Sequence, residues 1–146
     1  MRTILDDAKY WFLEHIAYAG ATCRSEILAV VVEGLLGETE DLKIGDHVVS
    51  DTRPIEAGPA SRKLAIRFPQ PIAWQVVDES YTTFREEEER DDTSFLQVLS
   101  RSAYLDYVLA QHGWFKGPAR HYRVWTENDV IDVVATEAPL VEPWTE

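Results

Sequence analysis

Six carboxylates fall within seven positions, Glu86, Glu87, Glu88, Glu89, Asp91 and Asp92, with Arg90 alone between them. Such a run can bind a divalent cation, exchange protons or attract a positively charged partner. A calcium loop needs alternating oxygen ligands and a turning glycine; no Asp-x-Asp-x-Asp-Gly spacing occurs here, so the run does not converge on one ion. Paired carboxylates are common on any acidic surface, and their proximity alone does not make an acid/base pair. The four histidines, His15, His47, His112 and His121, fall on four separate predicted elements and form no His-Glu-x-x-His motif, so no metal site is expected. No Gly-x-Ser-x-Gly elbow is present to raise a serine nucleophile, and no glycine-rich loop leads into Lys-Ser or Lys-Thr as a phosphate cradle requires. The sequence therefore assigns no catalytic residue and implies no cofactor.

Attraction of a partner is the chemistry the acidic run supports best. Charge runs are usually just solvated, but Tyr81 and Phe84 precede this one and Phe95 follows it. Aromatic contact area beside dense charge is how many interfaces combine affinity with steering. The candidate partner-binding residues are Tyr81, Phe84, Glu86, Glu87, Glu88, Glu89, Asp91 and Asp92. The whole chain has a formal net charge of −12, which attracts a basic protein and repels nucleic acid and anionic membranes. The rival reading is a small-molecule enzyme or ligand binder. Its pocket would lie between helix and sheet, lined by Tyr104, Asp106, Tyr107, His121, Tyr122, Trp125 and Asp132. A third reading is a structural subunit that pairs with its own copies through a strand or aromatic patch.

The elements that must position these residues are legible in outline. Thr3 and Asp6 form a capping pair, and apolar Leu5, Ala8, Phe12, Ile16 and Ala19 predict an amphipathic N-terminal helix ending at Gly20. Glu26 to Glu33 holds Ile27, Leu28 and Val30-Val31-Val32 and predicts a buried strand. Glu38 to Asp41 reads as a polar loop, His47 to Ser50 as a short strand, and the Pro54 to Ala60 stretch as a loop. Leu64, Ile66 and Phe68 alternate on one face of a strand that Pro69-Gln70-Pro71 ends, favouring an edge or a bend between sheets. Ile72 to Val77 is the next strand, and the acidic segment up to Asp92 is a loop or frayed helix.

Phe95 to Leu99 predicts a strand, and Ser100 and Ser102 offer caps for a helix from Ala103 to about His112, stopped by Gly113. His112 then suits a helix C-terminus. Tyr122, Val124 and Thr126 alternate with His121, Arg123 and Trp125, and Glu127-Asn128-Asp129 turns the chain into a second strand, Val130 to Ala135. His121 is expected to be a hydrogen-bonded sheet residue. The fold class is α+β: a mainly antiparallel sheet of about five to seven strands with an N-terminal helix and one inserted helix.

A chain of 146 residues that is 45% hydrophobic, with five Trp, six Tyr and five Phe, is expected to form one domain with its own core, residues 1–146. The single Cys23 cannot close an internal disulfide and reads as a small buried side chain, which fits a reducing compartment. The N-terminal residues do not resemble a secretory signal, and the longest apolar run, Ile27 to Val32, is too short to span a bilayer. The expected location is cytoplasmic.

The second half carries four pieces in order: Glu79-Ser80-Tyr81-Thr82, Ser100 to Tyr107, Arg120-His121-Tyr122-Arg123-Val124, and Asn128 to Val134. In this order it resembles a group of small bacterial proteins of unassigned function. The resemblance spans roughly Asp78 to Pro139 and implies a bacterial origin and a strand, helix, hairpin arrangement, without an activity. By profile alone, the chain is similar to immunity proteins of bacterial toxin systems: small, acidic and cytoplasmic, covering a basic toxin surface.

Overall fold

A computed structural model describes residues 1–20, 24–111 and 117–146. Cys23, His112 and Gly113, and with them the burial, capping and helix-stop expectations, lie outside the described residues. After a 3-10 turn at Ile4–Asp7 come strands β1 (Trp11–Ala19), β2 (Glu26–Glu33), β3 (Leu35–Leu36), β4 (Glu40–Ile44), β5 (His47–Thr52), β6 (Ile55–Glu56) and β7 (Lys63–Pro69). Strand β8 (Pro71–Asp78), a turn at Glu79–Tyr81, β9 (Glu89–Arg90) and β10 (Leu96–Arg101) follow. The helix α1 (Ala103–Ala110) and strands β11 (Arg120–Trp125), β12 (Asp129–Ala135) and β13 (Leu140–Pro143) complete the order.

Two antiparallel sheets dominate, one in the order β1-β2-β7-β13 and one in the order β8-β12-β11-β10-β9. Their inner faces meet. Trp11, Ile27, Ala29, Val31, Leu64, Ile66 and Phe68 from the first sheet form one cluster with Leu96, Tyr122, Val124, Ile131, Val133 and Ala135 from the second. The register shows why: Ile27 lies opposite Phe68, Ala29 opposite Ile66 and Val31 opposite Leu64, so alternate side chains of β2 and β7 build one apolar face. Phe68 then meets Tyr122 of the facing sheet, ring centres 6.4 Å apart. β2 reads as an unbroken apolar run because Val30 and Val32, on its other face, are buried as well.

The expected N-terminal helix is not there. The Thr3–Asp6 capping box exists, but it closes only the single turn Ile4–Asp7, and Phe12 to Ala19 run in β1. A bulge between Leu13 and His15 breaks the alternation: the core-facing Leu13 and Ile16 fall three positions apart, a helical spacing, while Phe12 lies on the other face opposite Val32. The short turn still anchors the core. Leu5 is fully buried and its carbonyl accepts from the Trp11 indole at 2.8 Å.

Elsewhere the predicted strands appear close to their expected bounds. Pro69-Gln70-Pro71 carries the chain from β7 in one sheet to β8 at the edge of the other, with Gln70 in the left-handed region at φ 46°. The expected polar loop at Glu38–Asp41 instead runs into β4, and the connection between neighbouring strands β2 and β7 is a projecting ribbon. Its stem is the β3–β6 pair and its arm the β4–β5 hairpin, turned at Gly45 with φ 59°. The architecture among the described residues is thus a sheet-dominated α+β fold of four antiparallel sheets with one internal α-helix.

Phe68 sits fully buried between the sheets, so Phe68→Ala should lower unfolding free energy by about 3–5 kcal/mol. Chemical denaturation measures it. A loss below about 1 kcal/mol would place the ring outside the shared core.

Candidate functional site

The outer face of the five-stranded sheet carries the chain's concentration of buried polar groups. On β11, Tyr122 and Val124 point into the core, so His121 and Arg123 must point the other way. There they meet Asp132 of β12, which pairs directly with Arg123 in the strand register. Asp132 Oδ1 accepts from His121 Nε2 at 2.6 Å and from Arg123 Nε at 2.8 Å. Gln75 of β8 donates to Asp132 Oδ2 at 3.0 Å.

The cluster extends in two directions. Toward α1, the Ser102 hydroxyl lies 2.7 Å from His121 Nδ1, and the same oxygen accepts from the Leu105 amide at 3.0 Å as the helix N-cap. One ring hydrogen on Nε2, donated to Asp132, and the Ser102 hydroxyl donating to Nδ1 satisfy the whole line. Toward the acidic run, Arg123 donates through Nη1 to both oxygens of Glu88, at 3.2 and 3.0 Å, and Arg90 reaches Glu88 at 3.3 Å. Two carboxylates and two guanidiniums thus neutralise one another under the surface.

Burial works against an ionised Asp132. His121, Arg123 and Gln75 outweigh it and hold the carboxyl at about 2, against an ordinary 3.8. Tyr104, at the first turn of α1, meets the edge of the His121 ring at 5.3 Å; burial, with Asp132 and Tyr107 adding to it, pushes its hydroxyl up to about 12.

A Ser-His-Asp line invites comparison with a nucleophilic triad. Here Ser102 is 2% exposed and its oxygen is engaged as the N-cap of α1. The line ties α1 to the sheet. Beside it opens a cleft of about 170 Å³ bordered by Gln75, Tyr81, Thr82, Tyr104, Arg123 and Asp132.

The residues named from the sequence separate accordingly. Of the pocket set, Tyr104, His121 and Asp132 come together. Tyr122 faces the opposite side of the sheet, as the neighbour of an outward His121 must, and Asp106 and Tyr107 on α1 are exposed. Trp125 stacks on Phe84 at 5.0 Å and donates to Gln97. Of the acidic set, Glu86, Glu87 and Glu89 project outward while Glu88 turns in, its side chain 5% exposed. Asp91 and Asp92 pair with the Met1 amino group, and each also accepts a backbone N–H, from Val98 and from Ser94. Tyr81 is 84% exposed, and Phe84 66% despite its stack, with Arg90 over its ring at 4.5 Å.

Ser102, Gln75, Arg123 and Glu88 are the cluster members that sequence reasoning did not assemble. A signal for one of them was present: the turn at Glu127–Asn128 sets the hairpin register that puts Arg123 opposite Asp132. Among the described residues, no group of His, Cys, Asp and Glu is placed to hold a metal ion, and no helix is long and apolar enough to cross a membrane. No protein-family model matches the chain, and no curated protein or solved structure is significantly similar to it.

Because folding lowers the Asp132 pKa, its stabilisation is complete above the ordinary carboxylate value and is lost as pH falls through about 2. That limb of the pH–stability curve should amount to about 2 kcal/mol. Asp132→Asn should erase it and cost about 3 kcal/mol at neutral pH, since Arg123 keeps only Glu88. An unchanged acid limb in the variant would assign the acid sensitivity to other carboxylates.

Proposed function

We propose that this chain is a non-enzymatic acidic binding protein of the immunity type, a cytoplasmic inhibitor that sequesters a basic toxin or another basic protein. The observation that carries this reading is the fixed loop of residues 79–92. Glu88 anchors it from beneath through Arg123, and Asp91 and Asp92 anchor its far end on the Met1 amino group. Glu86, Glu87 and Glu89, on either side of Glu88, face water, and Tyr81 and Phe84 are exposed just before them. A loop held in place before binding loses less conformational freedom on docking. Its carboxylates steer a cationic surface in, and its aromatic rings supply contact area once it arrives.

The cleft beside Tyr104 favours a second reading, a site for a small polar ligand, because the Asp132 carboxylate and the Arg123 guanidinium border it together. Both groups are already bound to each other and to neighbouring side chains, which makes the loop surface the stronger basis.

Replacing Glu86, Glu87 and Glu89 by Lys tests the reading without touching the buried Glu88. In pull-downs from the native host at about 50 mM salt, the wild-type chain should retain a stoichiometric protein of net positive charge. The variant should lose it by about tenfold or more, and the difference should shrink at about 500 mM salt. Equal recovery by both chains at both salts would reject the surface.

A further inference from the structure

The β4–β5 arm is the least accounted-for part of the molecule. Every residue of β4 and of His47–Asp51 is exposed, although the arm holds four aliphatic side chains. Leu42 and Ile44 share one face with Val49, which lies opposite Leu42, and Val48 lies on the other face opposite Lys43. Their exposures are 46% for Leu42, 60% for Ile44, 58% for Val48 and 46% for Val49. As a two-stranded ribbon, the arm also leaves an unpaired backbone edge on each side.

Its charge is equally uncommitted. Glu40, Asp41, Asp46 and Asp51 stand against one cation, Lys43, and none of these five makes an ion pair among the described residues. That distinguishes the arm from the loop of residues 79–92, where Glu88, Asp91 and Asp92 are already matched. A second copy is a poor occupant, because it would bring the same four carboxylates on a chain of net −12. The complementary occupant is an extended strand that alternates basic and β-branched residues. It would pair its backbone with the arm's edge, lay its apolar side chains beside Leu42 and Ile44, and bring its cations to Asp41, Asp46 and Asp51.

We propose that the β4–β5 arm is a docking strand that takes up an extended basic segment of the partner by β-strand addition. This rests on the reading of the chain as a binder of basic proteins and supplies a second, separate contact surface for it.

The probe is a synthetic peptide of strictly alternating lysine and valine, about ten residues long, titrated into the full isotope-labelled chain and followed by backbone amide NMR. Saturable shifts should centre on residues 42–49. Affinity should fall at least about threefold between about 50 and about 300 mM salt, and at least about tenfold in the Leu42→Ser/Ile44→Ser variant. Both positions are exposed, so unchanged amide dispersion elsewhere verifies that the variant folds. A peptide of the same composition with its lysines and valines in separate blocks should bind at least about tenfold more weakly. Equal binding of the two peptides overturns strand addition. Shifts confined to residues 79–92 overturn the arm while leaving the acidic-binder reading in place, and no shifts at all count against both. Sedimentation equilibrium adds one more outcome: a wild-type dimer that Ile44→Ser dissociates gives the arm to a second copy and overturns the proposal.

Discussion

The cross-strand pair of Arg123 and Asp132 is the constraint around which the outer half of the molecule is organised. A carboxylate shut away from water is strongly unfavourable unless several donors surround it. Asp132 obtains His121 and Arg123 from β11 and Gln75 from β8. Each recruits something further: His121 engages the cap of α1 through Ser102, and Arg123 engages Glu88 and thereby the acidic loop. The pair also specifies the pairing of β11 with β12. A slip of one residue would turn Asp132 into the apolar core beside Phe68, away from His121, Arg123 and Gln75.

The outer sheet was more legible in the sequence than the first strand was. The alternation of Tyr122 and Val124 against His121 and Arg123, with the Glu127–Asn128 turn, specifies both the hairpin and which side chains share a face. Ser102 was visible as a cap because a hydroxyl precedes a run of helix formers. The N-terminal helix failed for a local reason, since the Glu14 bulge inserts one residue into a period of two and the sequence carries no mark of it. The cluster beneath the acidic loop was hidden for another. Which member of Glu86-Glu87-Glu88-Glu89 turns inward depends on the path of the backbone across the sheet, and four identical side chains in a row give no clue. The alternative pocket paired Tyr122 with His121, an error the strand period itself corrects.

Negative charge therefore has two fates in this molecule. Part of it is internal: Glu88 and Asp132 are matched by Arg90 and Arg123, and serve architecture. On the outer face of the four-stranded sheet, Arg67 bridges Glu26 and Glu142 in the same spirit, more exposed and correspondingly weaker. Another part stands exposed: Glu86, Glu87 and Glu89 on the loop, near Tyr81 and Phe84, and Glu40, Asp41, Asp46 and Asp51 on the arm, near Leu42, Ile44, Val48 and Val49. Net charge alone does not separate these fates. Only the placement of each cation does.

The pairing of β13 with β7 joins residues far apart along the chain, with Arg67 and Glu142 separated by 75 positions. Contacts of such span are slow to form, because a long loop must close before any of them stabilises the structure. Until β13 arrives, the buried centre of β7, Leu64 to Ile66, borders an open sheet edge of the sort that seeds aggregation. Mutual repulsion between chains of strong like charge keeps such half-assembled molecules apart during that interval. The acidity that surrounds the finished fold thus also disfavours contact between its unfinished copies.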